Sequence, residues 1–291
     1  MFHGVYTAII TPFNEDGSID EDALKNLVEF QIENGISGLV PCGTTGESPT
    51  LSHEEHNHIV DLVVKFVDGR VPVIAGTGSN STQEAIAMTK HAKEAGADAS
   101  LQVAPYYNKP TQEGFYRHFK AIADAVDIPL IIYNIPGRTG ANIETATLAR
   151  LAQHKNIVAV KEASGSISQM MEVISQLPES FDVLSGDDNL TLPLISLGGK
   201  GVISVASNII PKQVVEFVST ALEGDYATAR KMHYKLLPLF KGIFIETNPI
   251  PIKAALAMKG VCKEVYRLPM CEMKPENKEK LRKILRDAGA I

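Results

Sequence analysis

The chain has 291 residues, with 28 Lys and Arg against 34 Asp and Glu for a net charge of −6, and it is 44% hydrophobic and 21% charged. That balance is globular and excludes a disordered, collagen-like or disulfide-scaffold protein; no run of Lys and Arg offers itself to a nucleic-acid backbone. Cys42, Cys262 and Cys271 are odd in number and lack CxxC spacing, so neither a disulfide framework nor a structural zinc site is expected.

The first residues lack the basic start and long apolar run of a signal peptide, and no stretch approaches the roughly 18 apolar residues of a membrane span. The expectation is a soluble protein of a reducing cytoplasm, open to anionic metabolites through local recognition.

In chain order, short β-branched apolar runs occupy residues 5–11, 38–42, 71–76, 99–104, 130–134, 158–162, 183–185 and 201–205. Longer amphipathic segments separate them, the alternation of repeated βα units on a parallel sheet. Helix starts are marked by three capping-box spacings, Ser18-x-x-Glu21, Ser52-x-x-Glu55 and Ser81-x-x-Glu84. Gly35, Gly69, Gly96 and Gly224 stand where helices should stop. Eight runs of nearly unbroken apolar character, spaced by roughly 25 to 30 residues, predict an α/β chain closed into a (β/α)8 TIM barrel over residues 1–224. After it the strand signal ends, and residues 226–240, 249–259 and 275–288 read as helices of a C-terminal extension spanning 225–291.

Polar residues at the C-terminal ends of barrel strands face the active site. Lys161 ends an otherwise apolar run in the sixth unit, where burial would lower its pKa and free the amine to attack a carbonyl carbon. Taken alone, a strand-end lysine more often sends its head to water. Tyr133 ends the fifth run, beside Lys161 in a barrel, where a phenol can shuttle protons; by itself it reads as a packed core aromatic. Arg138, in the turn beyond, presents a fork suited to a carboxylate, or is simply a surface arginine. Gly43-Thr44-Thr45-Gly46-Glu47 can cradle an anion on backbone N–H groups, although such a loop is as often an ordinary βα turn. Tyr106 and Tyr107, between prolines after the fourth run, suit either a rim cap or a subunit interface.

Gly43-Thr44-Thr45-Gly46-Glu47, Tyr133-Asn134-Ile135-Pro136-Gly137-Arg138-Thr139-Gly140 and Val160-Lys161-Glu162-Ala163-Ser164-Gly165 together resemble signatures of the pyruvate-dependent, Schiff-base class I aldolases. Within that superfamily they most resemble the dihydrodipicolinate synthase family, in order and over essentially the whole chain. The resemblance implies that Lys161 forms the imine with pyruvate and that Tyr133 donates and accepts protons. It implies that Thr44 links Tyr133 to a Tyr107 supplied across a dimer interface, and that the amide at Thr45 holds the pyruvate carboxylate. Gly186 and Ile203 would line the pocket. The expected acceptor is L-aspartate 4-semialdehyde, with no metal or organic cofactor, in a homotetramer built as a dimer of dimers.

Two other readings stand beside this one. Sister aldolases acting on N-acetylneuraminate or 2-keto-3-deoxy acids share the lysine and tyrosine; Arg138, suited to a second-substrate carboxylate, favours the semialdehyde. A non-catalytic pyruvate-binding barrel predicts a lost lysine or tyrosine, and both are present. The resemblance also implies an inhibitory L-lysine site formed by Ser48, Pro49, His53, His56, Asn80, Glu84 and Tyr106. Pro49 departs from the small residue expected there, and without the resemblance these residues read as a hydrated helix face.

Overall fold

A computed structural model describes residues 2–291. All eight apolar runs form parallel strands: β1 (Gly4–Ala8), β2 (Gly38–Val40), β3 (Ile74–Gly76), β4 (Ala99–Val103), β5 (Leu130–Asn134), β6 (Ile157–Glu162), β7 (Asp182–Ser185) and β8 (Gly201–Ser204). They lie in the order β2-β1-β8-β7-β6-β5-β4-β3, and a parallel bridge from Leu39 to Val73 curls the sheet into a nearly closed barrel. Each strand sends at least one side chain to a common inner cluster, among them Tyr6, Val40, Ile74, Leu101, Ile131, Ala159, Leu184 and Ile203. The barrel is therefore a packed core whose chemistry is confined to its mouth.

The helices outside are α1 (Glu21–Glu33), α2 (His53–Val67), α3 (Thr82–Ala95), α4 (Gln112–Ala125), α5 (Pro136–Thr139), α6 (Thr145–Leu151), α7 (Ile167–Gln176), α8 (Thr191–Ser196) and α9 (Pro211–Leu222). After them come α10 (Tyr226–Gly242), α11 (Ile250–Met258) and α12 (Pro275–Asp287). Strand residues that face outward, such as Ile132, Val160 and Val183, pack on Phe115, Phe119, Leu148 and Met170 of the helical ring. This double coverage explains why the strands read as apolar runs and not as alternating patterns. Leu236, Phe240, Ile252, Leu256, Leu281 and Leu285 of the last three helices share a cluster with Leu24, Leu27, Val28 and Phe217 of the barrel helices. Among the described residues, no helix is long and apolar enough to cross a membrane.

Local signals succeed and fail for identifiable reasons. Ser52 makes the full capping box with Glu55. Ser81 accepts from the Glu84 amide, but the reciprocal arm is missing because the Glu84 carboxylate accepts from Ser79 Oγ at 2.7 Å. The Ser18 expectation is corrected: α1 is capped by Asp20, whose side chain accepts from the Ala23 amide, while Ser18 bonds Asp16. The run 5–11 is longer than β1, because beyond Ala8 the chain leaves the ladder to bond Asn208 through the Ile10 amide and Gly46 through the Thr11 hydroxyl. The run 71–76 overshoots β3 because Pro72 has no N–H to give to a ladder.

Candidate active site

β5 and β6 are paired so that Tyr133 lies opposite Lys161, and Lys161 in turn opposite Leu184 of β7. Residues in register on neighbouring strands point to the same face, which brings the Lys161 Nζ to 4.0 Å from the centroid of the Tyr133 ring. Both side chains are buried. Two influences compete on the Lys161 amine. Burial disfavours the ammonium, while the carboxylates of Asp187 and Asp188 favour it; burial wins and lowers the pKa to about 8. At neutral pH that places about 300-fold more of the side chain in the nucleophilic free-amine form than an ordinary lysine would have. Burial pushes the Tyr133 phenol well above its usual range, and a hydrogen bond to Thr44 opposes the shift.

A 410 Å³ cavity at the mouth of the barrel, of a size suited to a small metabolite, is lined by Lys161, Tyr133, Thr44, Thr45, Arg138 and Gly186. The sequence-predicted residues from four separate βα units thus meet in one space. In the Gly43–Glu47 turn, the Gly46 and Ser48 amides bond the Gly43 carbonyl and the Glu47 amide bonds that of Thr44. The amides of Thr44 and Thr45 donate to no group among the described residues, leaving two adjacent donors for an anion.

The C-terminal extension completes the site. Asn248, buried between α10 and α11, donates from Nδ2 to Thr45 Oγ1 at 3.0 Å and accepts through its carbonyl from Arg138 at 3.1 Å. It therefore joins the carboxylate-suited arginine to the anion-suited turn. Behind the turn, the fully buried Lys253 pairs with the Glu47 carboxylate and donates to the Val265 carbonyl at 3.0 Å. Glu47 holds a left-handed φ of 54°, a strained conformation for a non-glycine residue that this pairing helps maintain.

From the seventh unit, Gly186 gives the cavity its floor beside the lysine. A Cβ there would lie 2.7 Å from the Ala163 Cβ and 3.2 Å from the Lys161 Cε. Gly186→Ala is expected to displace the nucleophile and lower kcat/KM for pyruvate by about tenfold or more, measurable in steady-state kinetics. Asp187 and Asp188 follow it. Asp188 accepts from Ser204 Oγ at 2.5 Å and from the Val205 and Ala206 amides, tying the loops after β7 and β8 together.

Ser48, Pro49, His53, His56, Glu84 and Tyr106 line the same cavity, so they and Lys161 share one continuous space. Pro49 sits in a short 3₁₀ turn, Ser48–Thr50, near its start, where a fixed φ and a missing N–H are tolerated. Asn80 does not line the cavity; it holds Tyr106 by donating to its carbonyl at 3.1 Å. Ile203 is part of the inner barrel core instead of the cavity wall. Tyr107 also stands apart, 89% exposed on its loop at a φ of 72°.

Sequence reasoning missed Asp187, Asn248 and Lys253. For Asp187 a signal existed, since two acids one residue beyond a strand run fall at the catalytic end of the barrel. For Asn248 and Lys253 none did, because the turn residues they bond, Thr45 and Glu47, are more than 200 residues away.

A (β/α)8 barrel with a desolvated lysine at its mouth, beside a tyrosine and an arginine, defines a class of barrel lyases. The chain matches the Dihydrodipicolinate synthetase family over residues 1–288, and it belongs to that family. It is 57% identical over 291 residues, all of both chains, to the 4-hydroxy-tetrahydrodipicolinate synthase of Thermodesulfovibrio yellowstonii. The crystal structure of dihydrodipicolinate synthase from Aquifex aeolicus superposes with a TM-score of 0.98 at 54% identity, covering 99% of each chain. The pyruvate complex of the chloride-inhibited Acinetobacter baumannii enzyme gives 0.98 at 46% identity over all of both chains. The lysine-bound enzyme of Cyanidioschyzon merolae gives 0.97 at 42%, covering 100% of this chain and 99% of that one.

Proposed function

We propose that this lyase condenses pyruvate with L-aspartate 4-semialdehyde to 4-hydroxy-tetrahydrodipicolinate, within the diaminopimelate route to L-lysine. The observation that carries the reading is the buried Lys161 amine against the Tyr133 ring in the cavity that also holds Arg138. The Lys161 nitrogen attacks the ketone carbon of pyruvate and expels water, giving an iminium that draws electrons from the neighbouring methyl. Loss of a methyl proton yields an enamine, with Tyr133 and its Thr44 partner carrying protons. The free amides of Thr44 and Thr45 receive the pyruvate carboxylate. The enamine carbon then attacks the aldehyde, and the substrate amine displaces Lys161 as the ring closes. Arg138 orients the acceptor by its carboxylate, which favours the semialdehyde over the sugar-derived acceptors of the sister aldolases.

The pyruvate complex of the Acinetobacter baumannii relative supports the first substrate, and the lysine complex of the Cyanidioschyzon merolae relative supports L-lysine as an inhibitor. For this chain we place that inhibitor among Ser48, Pro49, His53, His56, Glu84 and Tyr106, with Asn80 steadying Tyr106. A cytoplasmic homotetramer, in which Tyr107 reaches a neighbouring protomer's site, completes the proposal.

A coupled assay with pyruvate, L-aspartate 4-semialdehyde and dihydrodipicolinate reductase tests the reaction, with N-acetylneuraminate cleavage run in parallel. Turnover in the coupled assay alone is expected; cleavage without condensation would move the chain to the sister activity. Titrating initial rates with L-lysine is expected to show inhibition, and a flat response with no heat of binding would remove the inhibitory site.

The free amine is the attacking form, so the rate at which borohydride traps pyruvate on Lys161 should rise with pH and level off above about 8. A rate still climbing at pH 10, as for an ordinary lysine, would mean that the amine is not desolvated in solution.

A further inference from the structure

Asp187 lines the cavity close enough to Lys161 for its charge to act on the amine, yet its carboxylate keeps open acceptor positions. Among the described residues nothing donates a hydrogen bond to it, whereas Asp188 beside it is fully engaged by Ser204, Val205 and Ala206. The backbone of Asp187 is nonetheless pinned. Its amide donates to Ser185 Oγ at 3.2 Å, and its carbonyl accepts from Ser185 Oγ at 2.8 Å, the Leu190 amide at 3.0 Å and Thr191 Oγ1 at 3.1 Å. A partly buried carboxylate on a pinned backbone, with open acceptor positions, is suited to receive a cation.

The acceptor in the proposed reaction carries two charges on one carbon, a carboxylate and an ammonium. Arg138 follows β5 on one side of Lys161, and Asp187 follows β7 on the other. We propose that Asp187 receives the α-ammonium of L-aspartate 4-semialdehyde while Arg138 takes its carboxylate, making the pair the selector for an α-amino acid aldehyde. This rests on the condensation reading above. It also has a geometric consequence: the nitrogen held by Asp187 stays beside the carbon bonded to Lys161, which that nitrogen must attack for the ring to close.

Succinate semialdehyde, which keeps the aldehyde and carboxylate but lacks the ammonium, separates this role from a general influence on the lysine. Asp187→Asn is expected to lower kcat/KM for L-aspartate 4-semialdehyde by about ten- to a hundredfold, the worth of a charge-assisted contact. The inhibition constant of succinate semialdehyde should not change, the borohydride-trapped pyruvate adduct should still form at saturating pyruvate, and Asp187→Glu should recover part of the loss. Unchanged kcat/KM, equal weakening of the two aldehydes, or loss of the pyruvate adduct would each overturn the assignment. Absence of coupled turnover in the unsubstituted protein would instead overturn the condensation reading, and this inference with it.

Discussion

Lys161→Ala is expected to abolish borohydride-trapped pyruvate and to lower turnover by about a thousandfold or more, with the fold intact. The reasoning is specific to the site. Lys161 is the amine that burial brings to a pKa of about 8 within the cavity, and its replacement leaves no other lysine among the cavity-lining residues. Burying an amine against an apolar floor and the Tyr133 ring costs stability in the native enzyme, so removing it should not lower, and is expected to raise, the thermal midpoint. Mass spectrometry of the trapped adduct and thermal denaturation check the two halves separately. A persistent adduct in the variant would move the nucleophile elsewhere.

Lys253→Met is expected to be strongly destabilising, because it leaves the Glu47 carboxylate buried without its cation and the Val265 carbonyl without its donor. Breaking a buried pair from one side costs about 3–5 kcal/mol, which for a chain of this size corresponds to a midpoint lower by roughly 10 °C. Replacing both partners, as Glu47→Gln with Lys253→Met, should recover much of the loss, since no unpaired charge then remains. Urea unfolding of the two single variants and the double variant gives the coupling directly. Because Glu47 closes the turn that presents the Thr44 and Thr45 amides, the single variant should also raise KM for pyruvate. A stability loss with an unchanged KM would show that the turn holds its shape without the pair.

The legible part of this protein was the part written locally. Lys161 and Tyr133 each end a short apolar run, and runs in successive units of a closed parallel barrel are neighbours, so their proximity followed from counting. The capping box at Ser52 was legible for the same reason, since both partners lie within one turn. Ser18 misled because Asp20, two residues on, offers a competing carboxylate cap, and spacing alone does not rank the two. Strand ends were overestimated where the chain remained apolar after leaving the ladder, as beyond Ala8, because hydrophobicity reports burial and not pairing.

The sequence by itself determined the barrel class, the eight strands in order, and the motifs that carry Lys161, Tyr133, Thr44 and Arg138. All of these depend on residues near one another in the chain. Tertiary structure alone decided that Asn248 bridges Thr45 to Arg138, that Lys253 underpins Glu47, and that Asp187, unlike Asp188, accepts no hydrogen bond on its carboxylate among the described residues. It also decided that Ile203 belongs to the core and that Tyr107 stands outside the cavity. The reason is physical: whether a polar group is engaged or available depends on which partners the folded chain brings to it across long separations, and no local pattern encodes that pairing.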